Sequence, residues 1–131
     1  RSQIIKSGNT LVFLDAYNAN PSSMEKALEN FSRFEFSRKI AILGDMFEMG
    51  EHAEKEHQLI YQYASSLGFD KLWVAGEHFK LQALKQGGDG FNNAAEINEL
   101  LKKESLNDTA IFVKGSRGMA MEKVLDGLNL V

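Results

Sequence analysis

Four short and almost unbroken apolar runs recur along the chain, TLVFL at 10–14, KIAIL at 39–43, KLWVA at 71–75 and TAIFV at 109–113, each separated from the next by enough residues for a helix. A strand with one wet face alternates apolar and polar side chains, so runs without alternation are those of strands covered on both faces. A weaker run lies near Phe91. The intervening segments repeat at helical spacing. Met24, Ala27, Leu28, Phe31 and Phe34 fall on one face, as do Ala53, His57, Ile60, Ala64 and Leu67; the same holds for Ile97, Leu100 and Leu101, and for Met121, Val124, Leu125 and Leu128. Alternating strand and helix predicts right-handed crossovers and an α/β fold, a Rossmann-like open and mostly parallel sheet with helices on both faces.

Punctuation agrees with that order. Asn20 before Pro21 reads as an N-cap followed by a first-turn proline, Gly68 suits a left-handed helix end, and Asn93 with Glu96 has the spacing of a capping box. With 131 residues, 44% of them apolar and 25% charged, the chain fits one domain with a real core. A net charge of -3 offers no basic stripe for a phosphodiester backbone, which excludes nucleic acid as an expected partner. The absence of cysteine removes disulfides, thiolate metal sites and cysteine nucleophiles together. No apolar run approaches the roughly 20 residues of a membrane span, and RSQIIKSGN lacks the apolar core of a signal peptide. A soluble, cytoplasmic protein is the expectation, with no membrane partner. A start at Arg1 without methionine adds the expectation of a piece of something longer.

An open parallel sheet binds ligands beyond the carboxyl ends of its strands. There the sequence places DAYNANP, GDMFEMGE, GEH and KGSRG. Asp15, at a strand end, can accept hydrogen bonds from both hydroxyls of a ribose, or it can close an Asx-type turn together with Asn18. Asn20 reads first as a helix cap, and Tyr17 as a lid on a planar base or as turn packing. Lys114, Ser116 and Arg117 lie at a strand-to-helix junction where backbone N–H groups and a helix dipole favour an anion; the plain alternative is a pair of surface cations flanking a glycine turn. Asp45 can orient a ligand, bind a metal-held water or sit in a solvated turn. His57, on an apolar stripe, reads as a hydrogen-bonded core residue, and neither His52 nor His78 has metal-site spacing with it. The chain carries no G-x-x-x-x-G-K-[ST] phosphate loop, no G-x-G-x-x-G and no G-x-S-x-G. It is therefore not expected to hold a triphosphate by itself.

DAYNANPSSM at 15–24, LGDMFEMG at 43–50, the E-x-x-H of Glu54 to His57, and VKGSRGMAMEKV at 113–124 together resemble the carboxyl-terminal domain of the Mur ligase family, in order and over essentially all 131 residues. The resemblance is narrowest to the branch that joins D-alanyl-D-alanine to a UDP-N-acetylmuramoyl-tripeptide in peptidoglycan precursor synthesis. It implies that residues 1–131 are the third domain of a three-domain ATP-dependent ligase, whose N-terminal domain holds the UDP sugar and whose central domain binds magnesium. ATP phosphorylates the tripeptide carboxylate, and the dipeptide amine attacks the acyl phosphate.

By the same resemblance Arg1 reaches the ATP phosphates and Asp15 the ATP ribose, with Tyr17, Asn18 and Asn20 beside the nucleotide. Asp45, Lys114, Ser116 and Arg117 lie near the incoming dipeptide. No catalytic residue is expected in this domain alone, which folds without turnover and acts as a lid excluding water from the acyl phosphate. Two rival readings remain. A freestanding nucleotide- or anion-binding module is one; a phosphotransferase using Asp15 or Asp45 as nucleophile is the other, weakened because neither lies in a D-x-D context.

Overall fold

The computed structural model describes residues 2–130. Arg1, assigned above to the ATP phosphates, lies outside the described residues. Six strands form one sheet in the order β1-β2-β6-β3-β4-β5, with β1 at Ser2–Ser7, β2 at Thr10–Asp15, β3 at Arg38–Gly44, β4 at Lys71–Ala75, β5 at Asp89–Phe91 and β6 at Thr109–Lys114. All neighbours are parallel except β1 and β2. Helices α1 (Pro21–Arg33), α2 (Ala53–Ser66) and α3 (Glu77–Gln86) follow β2, β3 and β4 in turn, and α4 (Ala94–Lys103) joins β5 to β6.

The handedness rule dictates which face each helix covers. From β2 to β5 the chain advances across the sheet in one direction, and α1, α2 and α3 share one face, where Met24, Leu28, Ile60 and Phe79 pack on Ala41, Leu43, Ala110 and Phe112. The step from β5 back to β6 reverses direction, so a right-handed crossover must use the other face. Ile97 and Leu101 of α4 accordingly pack on Ile40, Ile42, Ile111 and Val113. Alternate residues of β6 thus feed different cores, which is why TAIFV shows no polar alternation.

Local signals mostly act as expected. The Asn20 side chain accepts the Ser23 N–H at 2.9 Å, and the Ser23 hydroxyl accepts the Asn20 N–H at 3.2 Å, closing a reciprocal cap at α1. Asn93 caps α4 through the Glu96 N–H at 3.1 Å. Glu96 does not complete the expected box on Asn93; its carboxylate reaches one residue further back, to the Asn92 N–H at 2.7 Å. Gly68 closes α2 with φ +78°.

Two elements differ from expectation. β1 was not anticipated, because SQIIKS holds only two apolar residues, too short a run to mark a buried strand. It forms as an antiparallel hairpin arm on β2, with Ser7 paired to Thr10 across a two-residue turn at Gly8 and Asn9. The final helix expected from Met121, Val124, Leu125 and Leu128 is instead two 3-10 pieces, Arg117–Met119 and Met121–Leu125. Between them Ala120 sits in the left-handed region at φ +50°, which interrupts the α-helical ladder while Met121 and Val124 still reach the core.

Candidate functional site at the carboxyl rim of the sheet

The loop after β6 runs to the face that carries α4, whereas the loops after its neighbours β2 and β3 run to the opposite face. Such a divergence opens a crevice at the carboxyl ends of the strands. Asp15 and Lys114 end adjacent strands in register, so both sit at that rim.

Lys114 is buried, and its ammonium donates to Asp15 Oδ2 at 2.8 Å and to the Asn18 carbonyl at 3.0 Å. Asp15 is more open, its side chain 28% exposed. The carboxylate and the carbonyl replace much of the hydration that burial takes from the ammonium. The predicted juxtaposition of residue 15 with the 114–117 turn is present. Its chemistry differs from the free cationic pair expected at KGSRG. Lys114 is already engaged by Asp15, and the element that follows is a three-residue 3-10 turn, too short to supply a helix dipole.

Ser116 stitches three rim loops together. Its N–H donates to the Asp45 carbonyl at 3.1 Å, its Oγ accepts the Phe47 N–H at 2.8 Å, and the same Oγ lies 3.5 Å from the Ala19 carbonyl. Arg117 extends outward, its guanidinium 5.3 Å from the centroid of the Tyr17 ring, which is half exposed. Asn18 is exposed beside them. The Asn20 oxygen is held by the α1 cap, so only its amide NH2 can turn to a ligand.

Asp45 is 2% exposed, which removes the solvated-turn reading. Its two oxygens accept the N–H groups of His78 at 2.9 Å and Phe79 at 2.8 Å. It therefore caps α3 from another loop, because the residue in the cap position is Gly76, which has no side chain to do so. Gly76 is required twice over: its φ is +115°, and a Cβ there would stand 2.4 Å from Asp45 Cγ. His57 is fully buried, as expected for a core histidine. Its Nδ1 meets the Ala53 carbonyl at 2.7 Å and its Nε2 the Met46 N–H at 2.9 Å. An amide can only donate, so Nε2 carries no proton and Nδ1 does. Burial pushes the imidazole below its ordinary value, against the opposing pull of the Ala53 carbonyl and Asp45.

Among the described residues, hollows lie against this framework on several sides. One of about 440 Å³ is lined by Asp45, Met46, Phe47, Glu48, Gly76 and His78, among others. A second, about 290 Å³, lies against Tyr17, Arg117 and Glu122. A third, about 380 Å³ and largely apolar, runs from Asp15 along Phe13 and Phe34 beneath α1. Sequence reasoning named Asp45 but missed Met46, Phe47 and His78, whose roles lie in backbone amides that a side-chain pattern does not report. Among the described residues no three His, Asp or Glu side chains are placed to share a metal ion. No helix among them is long and apolar enough to cross a membrane.

Comparison with known proteins places the chain in a family. The chain is 32% identical, over 96% of its length, to the UDP-N-acetylmuramoyl-tripeptide--D-alanyl-D-alanine ligase of Rickettsia prowazekii, of which it spans 29%. A crystal structure of MurF from Acinetobacter baumannii superposes with a TM-score of 0.82 at 26% identity, over 96% of this chain and 29% of that one. MurF ligase from Thermotoga maritima in complex with ADP shares the fold, with a TM-score of 0.77 at 21% identity over 95% of this chain and 29% of that one. The chain thus spans under a third of the length of each of these three proteins. A family model described as "Mur ligase, glutamate ligase domain" matches residues 1–117, and the chain belongs to that family.

Proposed function

We propose that the chain is the carboxyl-terminal domain of a three-domain, ATP-dependent ligase that adds D-alanyl-D-alanine to UDP-N-acetylmuramoyl-tripeptide in the cytoplasm, during synthesis of the peptidoglycan precursor. The observation that carries the reading is the gathering of Asp15, Lys114, Ser116 and Asp45 on one rim at the point where neighbouring loops diverge. The relatives' names and the ADP complex of the Thermotoga maritima protein support it.

In this reading the rim supplies two half-sites. Asp15, held through one oxygen by Lys114, offers its other oxygen to the hydroxyls of the ATP ribose. Tyr17, Asn18 and the Asn20 amide flank the nucleotide, and Arg1 reaches its phosphates. Lys114 thereby serves the nucleotide side by fixing Asp15, although its family position suggests the dipeptide side. The dipeptide takes the hollow beside Asp45, where Glu48 and Glu77 add negative charge suited to an amine; Ser116 holds the Phe47 amide of its wall, and Arg117 lines the neighbouring hollow beside Tyr17. ATP supplies the phosphoryl group that activates the tripeptide carboxylate; this domain closes over the acyl phosphate, excludes water and presents the amine. The amino-terminal and central domains bind the UDP sugar, the phosphates and magnesium.

The test is ATP-dependent ligation by the longer protein and by the 131-residue chain alone. Turnover is expected from the former and none from the latter. Turnover by the fragment would overturn the lid assignment. ATP binding by the fragment as tight as by the longer protein would favour a freestanding nucleotide module.

A further inference from the structure

The Asp45–Phe47 strip has an unusual construction: each of its three amides is held from a different element. Asp45 N–H donates to the Ala75 carbonyl at 3.1 Å, Met46 N–H to His57 Nε2 at 2.9 Å and Phe47 N–H to Ser116 Oγ at 2.8 Å. The middle tie alone depends on a protonation state. His57 Nε2 accepts only while the ring is neutral; a proton there would face the Met46 N–H, donor against donor. Asp45 Oδ1 lies 3.8 Å from Nε2 and could accept that proton, but it already accepts from Phe79 N–H.

We propose that His57 is a positioning residue for the 440 Å³ hollow: its neutral Nε2 holds the Met46 edge in shape, and protonation frees that amide and draws Asp45 from the start of α3. Both consequences fall on residues lining the hollow, since Asp45, Met46 and His78 are all in its wall. The groups that bear on the titration are few. Asp45, from the loop after β3, and Glu56, on the same helix, favour the charged ring, while His78 of α3, stacked on it at 4.8 Å between centroids, opposes it. Desolvation outweighs them and keeps the ring neutral at pH 7. That the hollow takes the dipeptide rests on the function proposed above; that His57 shapes it does not.

Nuclear magnetic resonance of the 131-residue chain between pH 8 and pH 4.5 tests the shaping directly. The His57 ring is expected as the Nδ1–H tautomer at pH 7.5. The Met46, His78 and Phe79 amides should then move together in one transition below the ordinary histidine value of about 6.5. His57→Gln places an amide oxygen where Nε2 was, so it should keep the Met46 tie and abolish the transition. His57→Asn is too short to reach Met46, and exchange of that amide should quicken by about tenfold. An Nε2–H tautomer at pH 7.5, or the same transition persisting in His57→Gln, overturns the proposal. Should His57→Asn fail to fold, the tautomer and the His57→Gln titration decide by themselves. In the longer ligase, His57→Asn should raise the dipeptide KM about tenfold with kcat little changed, and His57→Gln should restore it. If the amide behaviour holds and KM does not move, the positioning role stands and the assignment of the hollow to the dipeptide fails.

Discussion

Replacing Asp15 by alanine is the obvious probe of a ribose contact, but the Lys114 pair makes its outcome depend on stability as well as on nucleotide. Lys114 is 2% exposed and 2.8 Å from Asp15 Oδ2. At an effective dielectric constant of about 20, opposite charges at that separation attract by roughly 6 kcal/mol. Desolvating the ammonium costs several kcal/mol, which offsets most of that attraction, so the pair as a whole contributes only about 2 kcal/mol. Removing one partner is different. Asp15→Ala leaves a buried ammonium with only the Asn18 carbonyl, at a cost of about 3 kcal/mol. Lys114→Met leaves a carboxylate that is partly wet and can be rehydrated, so about 2 kcal/mol is expected. The double variant should lose only about 2 kcal/mol, because neither charge is stranded; the coupling is then about 3 kcal/mol. Urea unfolding of the 131-residue chain and its three variants measures this cycle. A coupling below about 0.5 kcal/mol would refute the claim that the two side chains act as a unit. The double variant is also the cleaner probe of nucleotide binding, since it removes the Asp15 oxygen without leaving the lysine unpaired.

Gly76→Ala should cost 3 kcal/mol or more, since it combines φ +115° with a Cβ 2.4 Å from Asp45 Cγ in a packed wall, and thermal unfolding reads it. Gly118→Ala makes a contact as short on paper, 2.3 Å to Phe47 Cε2, yet that ring is 44% exposed and can swing away; about 1 kcal/mol or less is expected. Asn20→Ala should cost about 1 kcal/mol from loss of the α1 cap, seen as a lower urea midpoint at unchanged slope. His57 makes stability depend on pH with a definite sign. Its folded value is depressed, so the unfolded chain binds the proton first; the stabilisation is complete above about pH 6.5 and is lost as pH falls through the lower folded value. The melting temperature should therefore drop between pH 7 and pH 5 by more in the parent chain than in His57→Gln, and equal drops would exclude His57 as the source.

How much of this was legible in the chain varied with the kind of interaction. The four central strands were readable because burial on both faces leaves an apolar run with no alternation, and Asn20–Pro21 was readable because capping is local. β1 was hidden: its arm needs only one partner strand, and Ile4 remains 67% exposed, so no apolar pattern was required of it. The last helix was misread because Met121 and Val124 do face the core at helical spacing, while the left-handed Ala120 that breaks the helix leaves no mark in composition. At the site, strand ends and loop order brought Asp15 and the KGSRG turn to one rim, but side-chain types could not show that Lys114 answers Asp15 rather than a ligand. Asp45 was ambiguous for the same reason. Its partners are the amides of His78 and Phe79, 33 and 34 residues away, and every residue type offers such amides.

These cross-loop ties bear on how the domain would act as the lid proposed above. A loop that orders only when ligand arrives charges the binding step with the conformational entropy of each residue fixed, about 1–2 kcal/mol for the backbone of each. Here the ordering is complete beforehand: Ser116 joins the loops after β2, β3 and β6, Asp45 joins the β3 loop to α3, and Lys114 joins the β2 loop to β6. Closure of such a domain can proceed as a rigid-body movement, so the binding free energy goes into docking and desolvation instead of into folding the loops. Ser116→Ala separates the two cases. It fills the same space but leaves the Phe47 N–H without its acceptor, at a cost of about 1–3 kcal/mol. If preorganisation matters, the longer enzyme carrying Ser116→Ala should show a raised dipeptide KM even at temperatures where the variant is fully folded by circular dichroism. If the loops order on closure anyway, only the melting temperature should fall, and the kinetics should match the parent enzyme.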